Sequence, residues 1–578
     1  MQGSQTGEEA AGWTSLPGMM LGLAARNPDR PMIRHWAGGA WRRTSWRDFA
    51  LAVAAIAAGL RERGVSPGDR VVLVSESRPE FLIADTAIMA IGAVTVPTYT
   101  TNTVADHAHI LRDSGARAAI AGTARLAASL REAAGPGGLD LLVCLEDAPA
   151  SDNPETVPWS ALAATPGDLA MLVAEVQHIP EGRLACLIYT SGTGGRPKGV
   201  MLPHRAMLAN TAGVRPFLRQ LGLEWSGACY LSFLPLSHAY EHTVGGFLFP
   251  ACGIEVVFSR GAERLAAEFR EIEPAIITAV PRLFEVLRAR ILAGLEKEKP
   301  WRRRLFERTL SLGLRRMDGP PLNLLERAED AVLERLVRNK VRARFGSRLV
   351  AMVSGGARLD PDLSGFFLAL GVTVLQGYGQ TEAGPVVSVN LPWDNHRRTV
   401  GAPVAGVEAR IAGDGELLIR GPLVMDGYWG DPEATARALP TPPGEAAPWL
   451  HTGDVGRIDE AGRIIITDRK RDFIKTLGGD MVSPARIETL LMAEPEIAQA
   501  VVAGEGRPGI VALLVPAEGA APDAAVRRVN AKLPGPERVR KWATVAPFTV
   551  EDGTLTPTMK VKRRVVLERQ APAIEALY

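Results

Sequence analysis

The run Leu187-Ile188-Tyr189-Thr190-Ser191-Gly192-Thr193-Gly194-Gly195-Arg196-Pro197-Lys198-Gly199 joins an apolar, strand-like stretch to a loop of small hydroxyl and glycine residues that ends at a lysine. Glycines let backbone N–H groups come close to an anion. The hydroxyls of Thr190, Ser191 and Thr193 add donors, and Lys198 adds charge. The chemistry is that of a phosphate cradle. It is not a Walker A loop, because GxxxxGK[ST] cannot be threaded through it. A flexible surface turn is the plainer alternative, but it leaves the concordance of so many consecutive residues unexplained.

Further motifs follow in order: Leu234-Pro235-Leu236-Ser237-His238-Ala239-Tyr240-Glu241, Ser354-Gly355-Gly356-Ala357, Gly377-Tyr378-Gly379-Gln380-Thr381-Glu382, His451-Thr452-Gly453-Asp454, Asp468-Arg469-Lys470-Arg471-Asp472, and Leu555-Thr556-Pro557-Thr558-Met559-Lys560-Val561-Lys562-Arg563. With the first run they resemble the signatures of the adenylate-forming superfamily of acyl-CoA synthetases, adenylation domains and luciferases. The resemblance implies an ATP phosphate loop at Thr190, Ser191, Gly192, Thr193, Gly194 and Lys198. It implies an adenine-binding loop at Gly355, Gly356 and Ala357, continued by Gly377, Tyr378 and Gly379, and an acyl pocket lined or gated by His238.

The residue types suit these roles. Tyr378 stands between glycines and can offer a bare ring face to adenine. Thr381 and Glu382 supply hard oxygens of the kind magnesium (Mg2+) prefers beside phosphates; Glu382 and Thr190 are the expected metal ligands. Asp454 can accept hydrogen bonds from two ribose hydroxyls, and Arg469 can reinforce that contact. A turn role after Gly453 is the plainer reading of Asp454. Lys560 is the expected catalytic cation: a carboxylate attacking the α-phosphate brings two anions together, and a mobile ammonium can bridge them as charge spreads. The plainer reading places Lys560 in a solvated basic run with Lys562, Arg563 and Arg564. Relatives usually have glycine where this chain has Met559, and that variant resembles the long-chain fatty acyl-CoA synthetases. Acetate-specific relatives carry tryptophan at the position of Gly379, so glycine there implies room for a longer chain.

The resemblance also implies a hinge at Arg471. The C-terminal domain would rotate about it, first presenting Lys560 and then Gly478 and Gly479 beside a channel for the pantetheine arm of coenzyme A. A narrow tunnel favours residues without side chains. Two other matches are decoys. His238-Ala239-Tyr240-Glu241-His242 fits HxxEH, but a zinc site needs a helix and a third ligand, and Leu234-Pro235-Leu236 argues for a turn. Gly504-Glu505-Gly506-Arg507-Pro508-Gly509 fits GxGxxG, but an apolar strand pattern at 510–515 follows in place of a helix, which reads as a hairpin.

The elements that must hold these residues alternate. Residues 50–63 and 80–91 have helical spacing, while 70–74 and 93–97 read as strands, which argues for an α/β fold with a largely parallel sheet. The segment 282–348 is helical and arginine-rich, including Arg302, Arg303 and Arg304. It is either a solvated face or a surface for acidic lipid headgroups. After Gly462 short strands and helices alternate. The expected architecture is a large multi-subdomain N-terminal domain, 1–470, and a small mobile α+β domain, 471–578.

The 578 residues are 46 % apolar and 22 % charged, with a formal net charge of +2. That balance is globular and disfavours nucleic acid. The scattered Cys144, Cys186, Cys229 and Cys252 read as buried thiols of a reducing compartment. The start of the chain does not resemble a signal peptide, and the apolar window 81–97 is too short and interrupted to span a bilayer. A cytoplasmic enzyme is expected, with peripheral membrane contact and a homodimer left open. The expected activity is an ATP- and magnesium-dependent ligase that converts a long fatty acid to its adenylate and then to acyl-CoA. The alternatives are a ligase that loads a carrier-protein thiol, a synthetase for another bulky acid, a catalytically dead acyl- or nucleotide-binding protein, and a basic membrane- or RNA-binding module.

Overall fold

The computed structural model describes residues 12–146, 151–152, 154–190, 197–470, 474–478, 480–556 and 560–578. The chain divides into two compact units, Met1–Ala409 with Ile419–Leu450 and Ala461–Arg463, and Arg410–Leu418 with His451–Glu460 and Ile464–Tyr578.

The first unit contains two nine-stranded sheets. One has at its centre the parallel strands Glu255–Phe258, Cys229–Ser232, Ile276–Ala279, Ala351–Ser354 and Val374–Gly379, in that order. The first three are buried along their whole length, as parallel strands covered on both faces must be. The other sheet places Leu184–Thr190 beside Val94–Pro97, Arg70–Val74, Ala118–Ala121 and Leu141–Cys144. The helices Trp46–Glu62 and Pro79–Ala90 and the strands Arg70–Val74 and Val94–Pro97 lie where the apolar spacing predicts them. Pro79–Ala90 is buried except at Glu80 and is largely apolar on every face. No helix among the described residues is long and apolar enough to cross a membrane.

Residues 282–348 are helical: Pro281–Glu296, Pro300–Asp318 and Leu324–Leu333 are its main helices. Much of their positive charge is matched locally. Arg302 pairs with Glu298 at 2.8 Å, Arg308 with Glu329 at 2.7 Å and Arg338 with Asp330 at 2.7 Å.

In the second unit, the strands Ile497–Ala503 and Ile510–Pro516 form an antiparallel hairpin, and Val539–Thr544 joins it in parallel. The glycine-rich 504–509 segment is the turn of that hairpin, as the strand pattern after it predicts. Helices Pro484–Met492 and Asp523–Ala531 bury Ile487, Leu491 and Val529 against one face, and Phe548 and Val566 pack on the other. The segments around 410–418, 451–460 and 464–469 belong to a separate four-stranded sheet.

Candidate active site

In the first unit, Leu184–Thr190 and Lys198–Pro203 pair antiparallel, with Thr190 directly opposite Lys198. Ser191, Gly192, Thr193 and Gly194, the loop between them, lie outside the described residues. The flanks are pinned. The Tyr189 hydroxyl donates to Asp113 at 2.6 Å, and His109 Nε2 is 2.8 Å from the Pro197 carbonyl oxygen. A Cβ at Gly199 would press on the Tyr189 ring and the Trp429 Cβ.

The Lys198 ammonium is 2.8 Å from Asp431 and 5.3 Å from the centre of the Tyr428 ring. The Tyr428 hydroxyl donates to Glu382 at 2.9 Å. Lys198 thus meets Glu382 through one tyrosine, and its hydrogen bond holds the Asp431 carboxyl below the ordinary carboxylate range. Neither Tyr428 nor Asp431 follows from the spacing of the motifs. Both arrive because the short strand Gly427–Tyr428 pairs with the strand that begins at Lys198. Thr381 and Glu382 sit in the 3-10 turn Thr381–Ala383. Among the described residues no cluster of three His, Cys, Asp or Glu could hold a metal alone. Glu382 still fits magnesium, which uses one or two carboxylates and completes its shell with phosphate oxygens and water.

The ends of Ala351–Ser354 and Val374–Gly379 lie side by side, with Ser354 opposite Gln376. This brings Gly355, Gly356 and Ala357 beside Gly377 and Tyr378. A Cβ at Gly355 would lie 2.9 Å from the Tyr240 ring, so this glycine admits Tyr240, whose hydroxyl donates to the Val353 carbonyl at 3.3 Å. Gly379 has a different cause from the one read in the sequence. A Cβ there would lie 2.0 Å from the Pro385 carbonyl oxygen. Backbone approach alone requires glycine, so its presence says little about the length of the acyl chain.

The 234–243 segment also departs in part from expectation. Residues 234–238 turn, but Ala239–Thr243 is helical, capped by the His238 side chain, which accepts from the Tyr240 N–H at 3.2 Å. Four consecutive side chains tie this short helix to four places. Tyr240 reaches Val353. Glu241 accepts from Tyr230 (2.7 Å), Ser232 (2.6 Å) and Thr278 (3.2 Å). The His242 Nδ1 is 3.1 Å from the Leu236 carbonyl. Thr243 donates to the Gly384 carbonyl at 3.0 Å. Burial pushes the Glu241 carboxyl up to about 7, against the pull of its hydroxyl donors Ser232, Tyr230 and Thr278. Gly245 makes room for that carboxylate, since a Cβ there would lie 2.3 Å from it. Glu241 and His242 are therefore occupied in anchoring the helix, which accounts for the HxxEH pattern without zinc.

In the second unit, Asp454 is buried and faces Arg469 across the pairing of Leu450–Ile458 with Ile464–Arg469, Nε to Oδ1 being 3.1 Å. The Asp454 N–H donates to Thr452, whose hydroxyl holds the Leu417 carbonyl. Lys470 reaches Asp414 and Glu416 at 2.5 and 3.0 Å. The Thr556 N–H donates to the Lys560 carbonyl, and the Lys560 N–H donates to Thr556 Oγ1. Desolvation, then the charge of Arg469, lower the Lys560 ammonium to about 8, and Asp454 pulls the other way. The side chain keeps open surface. The unit thus gathers Asp454, Arg469 and Lys560. Gly478 lies between the short strands Ile474–Lys475 and Met481–Val482, and a Cβ there would meet only ordinary contacts. Arg471, Gly479 and the residues 557–559 lie outside the described residues.

The AMP-binding enzyme family matches residues 23–429, and the AMP-binding enzyme C-terminal domain matches residues 471–578. A long-chain-fatty-acid–CoA ligase of Mycobacterium bovis is 35 % identical, over 96 % of this chain and 95 % of that protein. A peroxisomal long chain acyl-CoA synthetase of Arabidopsis thaliana is 28 % identical, over 92 % of this chain and 82 % of its own. Among solved structures, an O-succinylbenzoate coenzyme A synthetase from Bacillus subtilis in complex with ATP and magnesium ion superposes with a TM-score of 0.71 at 19 % identity, covering 95 % of this chain and 98 % of that one.

Proposed function

This chain belongs to the AMP-binding enzyme family, and on that premise we propose that it is an ATP-dependent ligase that turns a long-chain fatty acid into its acyl-CoA thioester. The observation that carries the reading is the junction of Lys198, Tyr428 and Glu382 at the exit of the glycine-rich loop. A cation for phosphate oxygens and a carboxylate for a metal meet at one place.

In the first half-reaction the fatty acid carboxylate attacks the α-phosphorus of ATP, the bond to the β-phosphate oxygen breaks, and pyrophosphate leaves. Lys198 holds phosphate oxygens, Tyr378 stacks on adenine, and Asp454 with Arg469 holds the ribose. Glu382 would hold magnesium, with Thr190 and Thr381 as further oxygen ligands, and the ion would supply neutralising charge to the phosphates. Lys560 bridges the two reacting anions. In the second half-reaction the CoA thiolate attacks the acyl carbonyl and AMP leaves. Gly478 and Gly479 would border the pantetheine arm, and a Cβ at Gly478 would meet only ordinary contacts within the chain, which is compatible with that role. We place the boundary between the two moving parts at 470/471, with Arg471 as hinge. The long-chain assignment is supported by the names of the curated relatives. Peripheral membrane contact is supported by Leu324 and Leu325, 82 % and 83 % exposed at the start of the helix that follows the arginine-rich Pro300–Asp318. Co-sedimentation with anionic liposomes tests it, and absence of binding at low salt removes it.

AMP release from ATP, measured with acids from acetate to oleate, with and without CoA, tests the main proposal. CoA-dependent release that peaks with long acids is the expected result. Adenylate that CoA does not discharge would transfer the activity to a carrier-protein acceptor, and no turnover with any acid would defeat it.

A further inference from the structure

The parallel strands that lead to the candidate active site have a second, oppositely placed end. Cys229 and Glu255 open neighbouring strands and are register partners there. The other ends of this sheet lead into 234–241 and 355–357. At the opening end lies a cavity of about 460 Å³, lined by Arg30, Arg34, Arg43 and Arg348 together with Glu255 and Cys229. This volume falls within the roughly 300–1,000 Å³ of small-molecule sites. We propose that the cavity binds a compact polyphosphate anion, at a site separate from the nucleotide loop.

Four guanidiniums face one lining carboxylate, which leaves an excess of positive charge. The one carboxylate is already used. Glu255, 7 % exposed, accepts from Arg34 Nε at 3.0 Å and Arg43 Nε at 2.8 Å, and also pairs with Arg34 Nη2. It orients both guanidiniums. Arg30 is fixed on a different side, donating to the Trp225 carbonyl at 3.0 Å with its guanidinium 5.3 Å from the centre of the Trp225 ring. Arg348 donates to the Gly227 carbonyl at 3.4 Å and lies near Glu273, whose carboxylate is engaged by Ser347. Each guanidinium has five N–H donors, and these anchors use only one or two of each. Bidentate donation from arginine suits phosphate oxygens. A concave, like-charged wall also concentrates small anions, and two or three negative charges match the excess. Inorganic phosphate, with less charge, should bind more weakly than pyrophosphate.

Calorimetric titration with inorganic pyrophosphate tests the site, using the native protein and the doubly substituted Arg43→Gln/Arg348→Gln protein, whose changed residues are exposed. The expected result is a pyrophosphate-binding event that the double substitution weakens by at least about tenfold, that weakens as salt rises, and that survives in Lys198→Ala. Acyl-CoA formation in the arginine variant stays at the native level, which shows that its fold is intact. Superimposable pyrophosphate isotherms for native and Arg43→Gln/Arg348→Gln proteins would overturn the proposal. Lys198→Ala distinguishes this from failure of the nucleotide-loop reading, because that variant leaves all four arginines in place. Arg30→Gln provides a second variant should the double one prove unstable.

Discussion

His242 Nε2 lies 3.4 Å from Asp85 Oδ2, and both side chains are sealed from solvent. Burial pushes the Asp85 carboxyl up, with the His242 charge opposing it. The pair joins the helix Pro79–Ala90 to the short helix that follows the 234–238 turn. Removing one partner strands the other in an apolar interior. Asp85→Ala should therefore cost on the order of 3 kcal/mol in urea unfolding, and the Asp85→Leu/His242→Leu pair should cost less than the two single changes summed. Strict additivity would count against the coupling.

Glu241 makes stability depend on pH. Its folded-state value of about 7 stands above the ordinary 4.5. A raised carboxyl binds its proton more tightly when folded, so its contribution is complete below pH 4.5 and is lost as pH rises through about 7. Relative to Glu241→Gln, the native protein should lose about 1 kcal/mol per pH unit between those limits. Unfolding free energies of both proteins from pH 5 to pH 8 check this, and parallel curves would contradict it.

Lys560 gives adenylation an alkaline limit. Its ammonium, held below the ordinary lysine value beside Arg469, is lost at a lower pH than that of an unperturbed lysine. Pyrophosphate release in single turnovers should fall at alkaline pH, while thioester formation from supplied acyl adenylate should not. Lys560→Arg, which stays charged, should move the limit upward. An unchanged limit would assign it to another group.

Glu382→Gln should raise the magnesium concentration needed for half-maximal turnover, because a carboxylate is a stronger ligand for a hard cation than an amide. Far-ultraviolet circular dichroism should remain native, since the amide still accepts from Tyr428.

Gly379→Ala separates two explanations of one glycine. The 2.0 Å approach of a Cβ to the Pro385 carbonyl predicts a loss of about 1–3 kcal/mol for a single methyl group. A stable alanine variant that merely prefers shorter acids would restore the pocket-wall reading.

The parts of the fold legible in the sequence are those with strong periodicity. The buried strands at 70–74 and 94–97 are short apolar runs, and the helices beside them show the helical spacing of apolar residues. What escaped was assembled by distant pairing. Tyr428 and Asp431 reach Lys198 only because a two-residue strand adds to a sheet edge. The anchors of Glu241 lie on two other strands. Leu234-Pro235-Leu236 does mark a turn, but it hid the helix that starts immediately after it. For Gly379 the residue type was plain and its cause was not, since the clashing atom belongs to a neighbouring strand connection.

The pairing of Thr190 with Lys198 makes the loop between them a tether of set circumference. Exchanges inside it leave its two ends in place. A one-residue insertion within Leu184–Thr190 is another matter. Side chains alternate along a strand, so slipping its register by one would turn Tyr189 to the opposite face of the sheet, away from Asp113. The fold should therefore survive changes of loop composition far better than changes of strand length, and a deep insertion scan read by folded yield would show a sharp edge at residue 190.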